Sequence, residues 1–173
     1  MIIVLRLGHR LGRDERISTH CGLVARALGA DAIIYTGDLD KNMINGLKET
    51  TERWGGEFKI FYEKNFRKVI ENYKNKNFFI VHLTMYGIPI QNKINEIRKK
   101  KKILVIIGSE KVPGDIYQIA DMNIAITNQP HSEVAALSIF LHEYFKGNEL
   151  NKKINKAKIK IVPQEKGKKV IKC

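Results

Sequence analysis

Short apolar runs alternate with helix-like segments throughout the first 147 residues, and this alternation constrains the fold more than any other feature of the sequence. Continuous apolar strands separated by helices predict an α/β fold, a mostly parallel sheet with helices on both faces. The predicted strands span residues 2–5, 32–35, 58–61, 78–83, 103–107 and 123–126. The predicted helices span residues 18–28, 40–54, 65–75, 90–100 and 131–146, and Pro113 is expected at the first position of another.

The composition changes after Gly147, where Lys, Asn and Ile predominate. We therefore expect a main domain over 1–147 and a basic extension over 148–173, packed on or near it. Strict alternation at 157–162 indicates one extra strand, and the residues around Gly167 are expected to form a loose tail.

The positive charge is concentrated in this extension. Residues 146–173 hold ten Lys and two Glu, a net +8 of the formal +13 of the whole chain. Charge gathered at one end favours a nucleic-acid partner. The alternative is a general enrichment in Lys for solubility.

Several classes of protein are disfavoured by what the sequence lacks. Two cysteines, Cys21 and Cys173, form no disulfide framework or metal knuckle, so we expect a reducing cytoplasm and no bound metal. No apolar run approaches the roughly 18 residues of a spanning helix, so we expect no membrane partner. Neither a Walker phosphate loop nor a G-x-G-x-x-G fingerprint is present, which disfavours nucleotide hydrolysis and dinucleotide binding.

Three predicted strands end in loops that are rich in turn-forming and polar residues. The loops span residues 83–87, 108–114 and 127–133. Ligands of open α/β sheets bind at the carboxyl ends of the strands, so these loops are expected to frame one pocket. Each is also compatible with an ordinary connection between a strand and a helix.

A basic segment, residues 6–16, follows the first predicted strand. Arginine suits bidentate contacts with phosphate or carboxylate groups. If a helix begins near Asp14, then Arg13, Arg16 and His20 share one face of it. The alternative is a solvated surface paired locally with Asp14 and Glu15.

Several of these segments resemble known enzymes. The pocket loops resemble the cofactor-binding loops of the SPOUT methyltransferases. A narrower resemblance is carried by seven segments: VLRLGHR, RDERISTH, ARALGAD, VHLTMYG, GSEKVPGDIYQIAD, NQPHSEVAALS and AKIKIVPQ. On these segments, the chain resembles the archaeal tRNA cytidine-56 2′-O-methyltransferases over nearly its whole length.

The resemblance implies a domain whose C-terminal part is tied in a deep trefoil knot, a homodimer, S-adenosyl-L-methionine as cofactor and the T-loop of tRNA as substrate. It also implies a set of cofactor-binding residues drawn from the three loops: Leu83, Gly108, Ser109, Glu110, Lys111, Val112, Ile126, Thr127, Asn128, Gln129, Pro130, His131, Ser132 and Glu133.

The resemblance further implies a catalytic arginine near the start of the first helix. Arg16 is the first candidate, followed by Arg10 and Arg13, although the usual spacing between Asn and Arg in ribose-modifying relatives is not reproduced. Ser132 is expected to cap its helix or to orient the target ribose. The rival interpretations are a SPOUT enzyme acting on another ribose or on a base, and a basic α/β protein that binds RNA without catalysis.

Overall fold

Six apolar strands lie side by side in one parallel sheet, as the alternation predicted. The computed structural model describes residues 1–108 and 112–173. The strands of this sheet are β1 Ile2–His9, β2 Ala32–Gly37, β3 Lys59–Tyr62, β4 Phe79–Pro89, β5 Ile103–Ile107 and β6 Met122–Ala125. Within the described residues the strand order is β3-β2-β1-β5-β4-β6, and every neighbouring pair is parallel.

Helices cover both faces of this sheet because its strands β1, β2 and β5 are apolar and buried on both sides. One core includes Val4, Ile33 and Val105 and packs under helices α1, α2, α4 and α6, while the other includes Leu5 and Leu104 and packs under α3 and α5. The helices are α1 Glu15–Ala27, α2 Lys41–Trp54, α3 Phe66–Asn75, α4 Ile90–Ile97, α5 Ile116–Ile119 and α6 Glu133–Phe145, followed by a 3₁₀ turn over Asn148–Asn151.

Polar residues set the starts of several helices. The Asp40 carboxylate accepts a hydrogen bond from Met43 N at 2.9 Å, and the Ser132 hydroxyl accepts one from Val134 N at 3.1 Å. Gly29, just past the end of α1, has φ +92°, a left-handed conformation that favours glycine. The predicted stop of α1 at Gly29 is confirmed.

The prediction for Pro113 is wrong. The helix that follows, α5, has only four residues and begins at Ile116, with Asp115 at its N-cap position. Pro113 lies in the turn before it, where its carbonyl accepts a hydrogen bond from Ile116 N at 3.1 Å. A proline that suits the first turn of a helix suits a turn equally well, so the signal was ambiguous.

The basic extension contains two strands rather than one. β7 Ile159–Val162 pairs antiparallel with β8 Lys169–Lys172, so the loose tail expected around Gly167 is instead the second arm of a hairpin. Lys158 N donates to Arg53 O at 3.0 Å, which places the base of the hairpin at the end of α2. That end of α2 lies at the amino edge of the sheet.

The carboxyl edge of β4 is irregular. Its pairing with β6 is interrupted between Leu83 and Ile88, and both residues pair with Ile124. A Cβ atom added at Gly87 would lie 2.5 Å from Ile124 N, so only glycine permits this approach of two backbones. The residues between Leu83 and Ile88 form one wall of the site described below.

Candidate functional site

A cavity of about 310 Å³ opens at the carboxyl edge of the sheet, between the ends of β4 and β5 and the start of α6. Its volume falls within the range of small-molecule sites. Most of the described lining residues are apolar or uncharged, so the wall suits a ligand with a largely uncharged surface. The lining residues are His82, Leu83, Thr84, Met85, Tyr86, Ile107, Gly108, Val112, Tyr117, Pro130, His131, Glu133 and Ala136.

The cavity brings together one member or more of each predicted loop. Six predicted cofactor-binding residues line it, namely Leu83, Gly108, Val112, Pro130, His131 and Glu133. Five other predicted residues do not line it, namely Ile126, which directly follows β6, and Thr127, Asn128, Gln129 and Ser132 of the third loop. The predictions for Ser109, Glu110 and Lys111 lie outside the described residues.

The third loop is fastened to the first by an amide side chain. Asn128 Nδ2 donates to Met85 O at 2.6 Å and to Gly87 O at 3.2 Å. The His131 ring approaches Gln129 O at 2.7 Å and so shapes the turn before α6. Asn128 thus holds two walls of the cavity together without lining it.

A hydrogen-bonded network supports the floor of the cavity. His82 Nδ1 lies 2.9 Å from Asn123 Oδ1, and Asn123 Nδ2 donates to Tyr117 O at 2.8 Å. The rings of His82 and Tyr117 meet edge to face, with centroids 4.8 Å apart. Burial lowers the pKa of His82, and its hydrogen bond with Asn123 only partly opposes this, so the ring is neutral at neutral pH.

A buried ion pair ties the wall of the cavity to β1. Arg6 is fully buried, and its Nη2 lies 3.1 Å from Glu133 Oε1. A second guanidinium nitrogen, Nη1, donates to Leu7 O, while Nε and Nη2 have no hydrogen-bond partner among the described residues, so the contact of Nη2 with Glu133 is an ion pair. Arg6 therefore holds the first residue of α6 against the central strand.

The predicted catalytic arginines lie beside the cavity rather than in it. Arg16 is exposed near the start of α1, in a separate shallow groove that includes His20 and Asp40. Arg10 forms an ion pair with Asp14, the N-cap residue of α1, at 2.8 Å. Arg13 lies in the turn between these two arginines and also has a partner. None of the three arginines lines the cavity within one chain.

A second buried network holds the arginine-bearing segment in place. His9 Nδ1 lies 2.8 Å from Ser18 Oγ, and His9 Nε2 lies 3.6 Å from Asp40 Oδ2. These contacts connect the end of β1 to the first turns of both α1 and α2. Cys21 faces the same interior, where burial raises its pKa to about 12, so it is not a nucleophile at neutral pH.

A second, more basic cavity of about 400 Å³ lies at the opposite, amino edge of the sheet. Arg26, Lys152, Lys153 and Lys156 contribute to its lining. Lys156 pairs with Glu57 at 2.9 Å. Lys152 and Lys153 are exposed. This cavity joins the extension to the main sheet, and its charge suits a polyanion.

Sequence reasoning missed two polar residues that shape the site. Arg6 was grouped with the basic segment. Side chains alternate between the two faces of a strand, however, so Arg6 lies on the same core-facing side of β1 as Ile2 and Val4. His82 likewise lies on the same side of β4 as Ile80. Within the described residues no helix is long and apolar enough to cross a membrane, and no group of three His, Cys, Asp or Glu side chains is placed to hold a metal ion.

Comparison with known proteins identifies a family and full-length relatives that this chain is similar to. Residues 54–171 match the family described as tRNA ribose 2′-O-methyltransferase, aTrm56. A protein of Methanocaldococcus jannaschii named tRNA (cytidine(56)-2′-O)-methyltransferase is 52% identical over 174 residues, which covers 99% of this chain and 96% of that protein.

Solved structures share the fold at much lower identity. The TrmH/SpoU tRNA modifying enzyme of A. aeolicus is 18% identical, with a TM-score of 0.61 over 87% of this chain and 76% of that chain. The SpoU methyltransferase AviRb of Streptomyces viridochromogenes, solved with the cofactor AdoMet, is 15% identical, with a TM-score of 0.61 over 86% of this chain and 57% of that chain. By its sequence and its fold, the chain belongs to the family of archaeal tRNA ribose 2′-O-methyltransferases.

Proposed function

We propose that this chain transfers a methyl group from S-adenosyl-L-methionine to the ribose 2′ oxygen of cytidine 56 in the T-loop of tRNA. The observation that carries the proposal is the cavity at the carboxyl edge, lined by all three loops that the sequence singles out. Relatives about 50% identical over the full chain are named for this reaction.

The cavity fits the proposed cofactor in size and chemistry. At about 310 Å³ it suits an adenosyl group with a short amino-acid chain. A Cβ atom at Gly108 would collide with the Val112 side chain, so the lack of a side chain at Gly108 leaves room for Val112 at this wall. We propose that Leu83, residues 108–112 and residues 126–133 surround the cofactor, with Asn128 and Ser132 acting by holding the loop.

When bound, the sulfonium of the cofactor supplies an electrophilic methyl carbon, so the protein has no need of a metal for this step. The ribose hydroxyl is a poor nucleophile while it is protonated. The proton that the hydroxyl must lose passes to an oxygen of the adjacent phosphate and from there to water. A guanidinium group carries a positive charge, so Arg16 holds that phosphate and stabilises the negative charge that develops on the ribose oxygen. Arg10 and Arg13 have secondary parts in this proposal, since Arg10 already pairs with Asp14.

The position of Arg16 favours catalysis across a homodimer. It lies at the same edge of the sheet as the cavity but does not line the cavity of its own chain. The exposed side of α1 continues from Arg16 through the partly buried Leu23 and Val24, and α6, which packs beside α1, leaves 43% of Ile139 exposed. We propose that these apolar surfaces form the dimer interface and bring Arg16 to the cavity of the partner subunit.

A mixed dimer tests this arrangement. One chain carries Arg16→Ala, and the other carries a cavity substitution that abolishes cofactor binding. If Arg16 acts across the interface, each mixed dimer recovers one complete site, half of the activity of a wild-type dimer, whereas each parent dimer is inactive. If Arg16 acts within its own chain, the mixed dimer stays inactive. Undiminished methylation by Arg16→Ala dimers, with normal cofactor binding, contradicts any catalytic part for this residue.

The remaining features extend the same proposal. We propose that the segment from β4 to α6 forms the deep trefoil knot, supported by the detour of β4 at residues 84–87 and by the SpoU fold of the neighbours. The basic extension 148–173 binds tRNA phosphates, supported by its charge of ten Lys against two Glu over residues 146–173. The setting is the cytoplasm, where unmodified tRNA is available.

A methylation assay tests the proposal directly. Purified protein, labelled S-adenosyl-L-methionine and an unmodified tRNA transcript are incubated, and the labelled nucleoside is mapped. We expect label in 2′-O-methylcytidine at position 56. Label on a base or at another ribose would still indicate a SPOUT methyltransferase, but it would refute cytidine 56 as the substrate nucleotide. Binding of tRNA without any label would favour a non-catalytic RNA-binding protein.

A further inference from the structure

Glu133 brings a negative charge to the wall of the cavity at the carboxyl edge. Among the described lining residues it is the one carboxylate, and no Lys or Arg of that group joins it. Its side chain is 22% accessible. A charge in a cleft with mostly apolar walls is poorly screened, so it influences which charged groups a ligand can bring there.

The carboxylate of Glu133 has room for a further partner. Its Oε1 lies 3.1 Å from Arg6 Nη2, but this contact is an ion pair without a hydrogen bond. No described residue donates a hydrogen bond to either oxygen, and neither oxygen is a buried atom without a partner, so both remain accessible. An ionised carboxylate has about four acceptor sites, most of which are therefore open.

Arg6 balances the charge of Glu133 from behind. Arg6 is fully buried and does not line the cavity, whereas Glu133 does. A ligand in the cavity therefore meets the carboxylate at a shorter distance than the guanidinium, and the Coulomb energy falls with distance. The ion pair thus presents its negative end to the cavity, where it attracts a cationic group and repels an anionic one.

We propose that the Glu133 carboxylate contacts a positive charge of bound S-adenosyl-L-methionine, either its sulfonium or its α-ammonium group. The inference rests on the proposed function, since it assigns a partner within the same cavity. The two charges differ in what methyl transfer does to them. When the ribose oxygen takes the methyl group, the electron pair of the broken bond stays on sulfur, so the sulfonium becomes a neutral thioether while the ammonium is unchanged. Contact with the sulfonium would therefore favour the substrate over the product, S-adenosylhomocysteine.

Two variants remove the negative charge from the cavity. Glu133→Gln keeps the shape of the side chain but leaves Arg6 without a counterion. The double variant Arg6→Met/Glu133→Gln removes both charges, so it provides the same neutral cavity without an unpaired buried guanidinium. Glu143→Gln is the matched control, because Glu143 also lies in α6 but pairs with Arg98 and does not line the cavity. Thermal unfolding checks that each protein is folded.

The measurement is the dissociation constant of three ligands, determined by calorimetry for the full-length protein. S-adenosyl-L-methionine carries both positive charges, S-adenosylhomocysteine carries only the ammonium, and 5′-methylthioadenosine has the adenosyl group and the sulfur without either charge. We expect Glu133→Gln to weaken binding of S-adenosyl-L-methionine about tenfold, the scale of one charge-assisted contact, and to leave 5′-methylthioadenosine unaffected. An equal loss for S-adenosylhomocysteine assigns the contact to the ammonium, and an unchanged affinity assigns it to the sulfonium.

The outcomes distinguish failure of this inference from failure of the proposed function. Unchanged affinity of Glu133→Gln for S-adenosyl-L-methionine, or an equal loss for 5′-methylthioadenosine, would overturn the charge contact while leaving the cofactor site intact. If the single variant does not fold, the double variant gives the same comparison. Wild type that binds S-adenosyl-L-methionine no more tightly than 5′-methylthioadenosine would overturn the contact whatever the variants do. No binding of any of the three ligands to the wild type would overturn the proposed function itself.

Discussion

Neutralising Glu133 should destabilise the fold as well as the cavity. Glu133 is the partner of Arg6, whose side chain is wholly buried, and Glu133→Gln preserves shape while removing the negative charge. Breaking a buried ion pair from one side costs about 3–5 kcal/mol, because the remaining charge is left without a counterion. Since 22% of the Glu133 side chain is exposed, water and the new amide group partly compensate the charge of Arg6. We therefore expect the free energy of unfolding to fall by about 3 kcal/mol.

Thermal and urea unfolding measure this loss. For a chain of this size, about 3 kcal/mol corresponds to a fall in Tm of about 6–12 °C. A matched control is Glu143→Gln, also in α6, whose pair with Arg98 is partly exposed at 3.4 Å. That change should cost about 1 kcal/mol or less.

A double-mutant cycle with Arg6→Met isolates the pair itself. Met fills much of the arginine volume without a charge, so the double variant should be more stable than Glu133→Gln alone, with a coupling energy of about 2 kcal/mol. Additive effects, or a loss below about 1 kcal/mol for Glu133→Gln, would show that Arg6 does not depend on Glu133 for its burial.

Three further outcomes follow from the geometry. Replacing Lys152 and Lys153 by Ala should weaken tRNA binding about tenfold and lower its salt slope by about 1–2, while leaving the affinity for S-adenosylhomocysteine unchanged, as filter binding at several salt concentrations checks. Ser132→Ala should lower the free energy of unfolding by about 1 kcal/mol, and Ser132→Asp should restore it, with unchanged kcat in both if the hydroxyl acts only as a cap. Because the folded-state pKa of His82 lies below its ordinary 6.5, the unfolded chain takes up the proton first, so stability should fall as pH drops below about 6.5, and His82→Asn should lose this part of the slope.

The elements that could be predicted from the sequence are those whose signal is local. β5 Ile103–Ile107 has the predicted bounds because an uninterrupted apolar run, set between basic residues and Gly108, leaves no other arrangement. The helix predicted over 40–54 is α2 Lys41–Trp54, and Asp40, which was predicted as its first residue, is its N-cap. β4 was predicted too short, because its continuation past Leu83 depends on pairing with β6 rather than on its own residues.

The polar interior of the site could not be predicted, because it depends on partners that are distant in sequence. Arg6 appears in the sequence as one of several arginines in a basic segment, and only the tertiary fold brings Glu133 to it. The contacts of His82 similarly require Asn123 and Tyr117, which come from β6 and α5. β8 has a weak local signal, since four residues with two lysines form a strand only when β7 pairs with them.

The chemical identity of the methyl acceptor is the central claim, and a tRNA with one altered sugar tests it most directly. The transcript is assembled with 2′-deoxycytidine at position 56 and compared with an otherwise identical transcript that carries a single 2′-deoxynucleotide at position 57. With labelled S-adenosyl-L-methionine, we expect no incorporation into the first and near-normal incorporation into the second. Undiminished label in the transcript lacking the 2′ oxygen at position 56 would contradict the account, because the methyl group would then be accepted elsewhere.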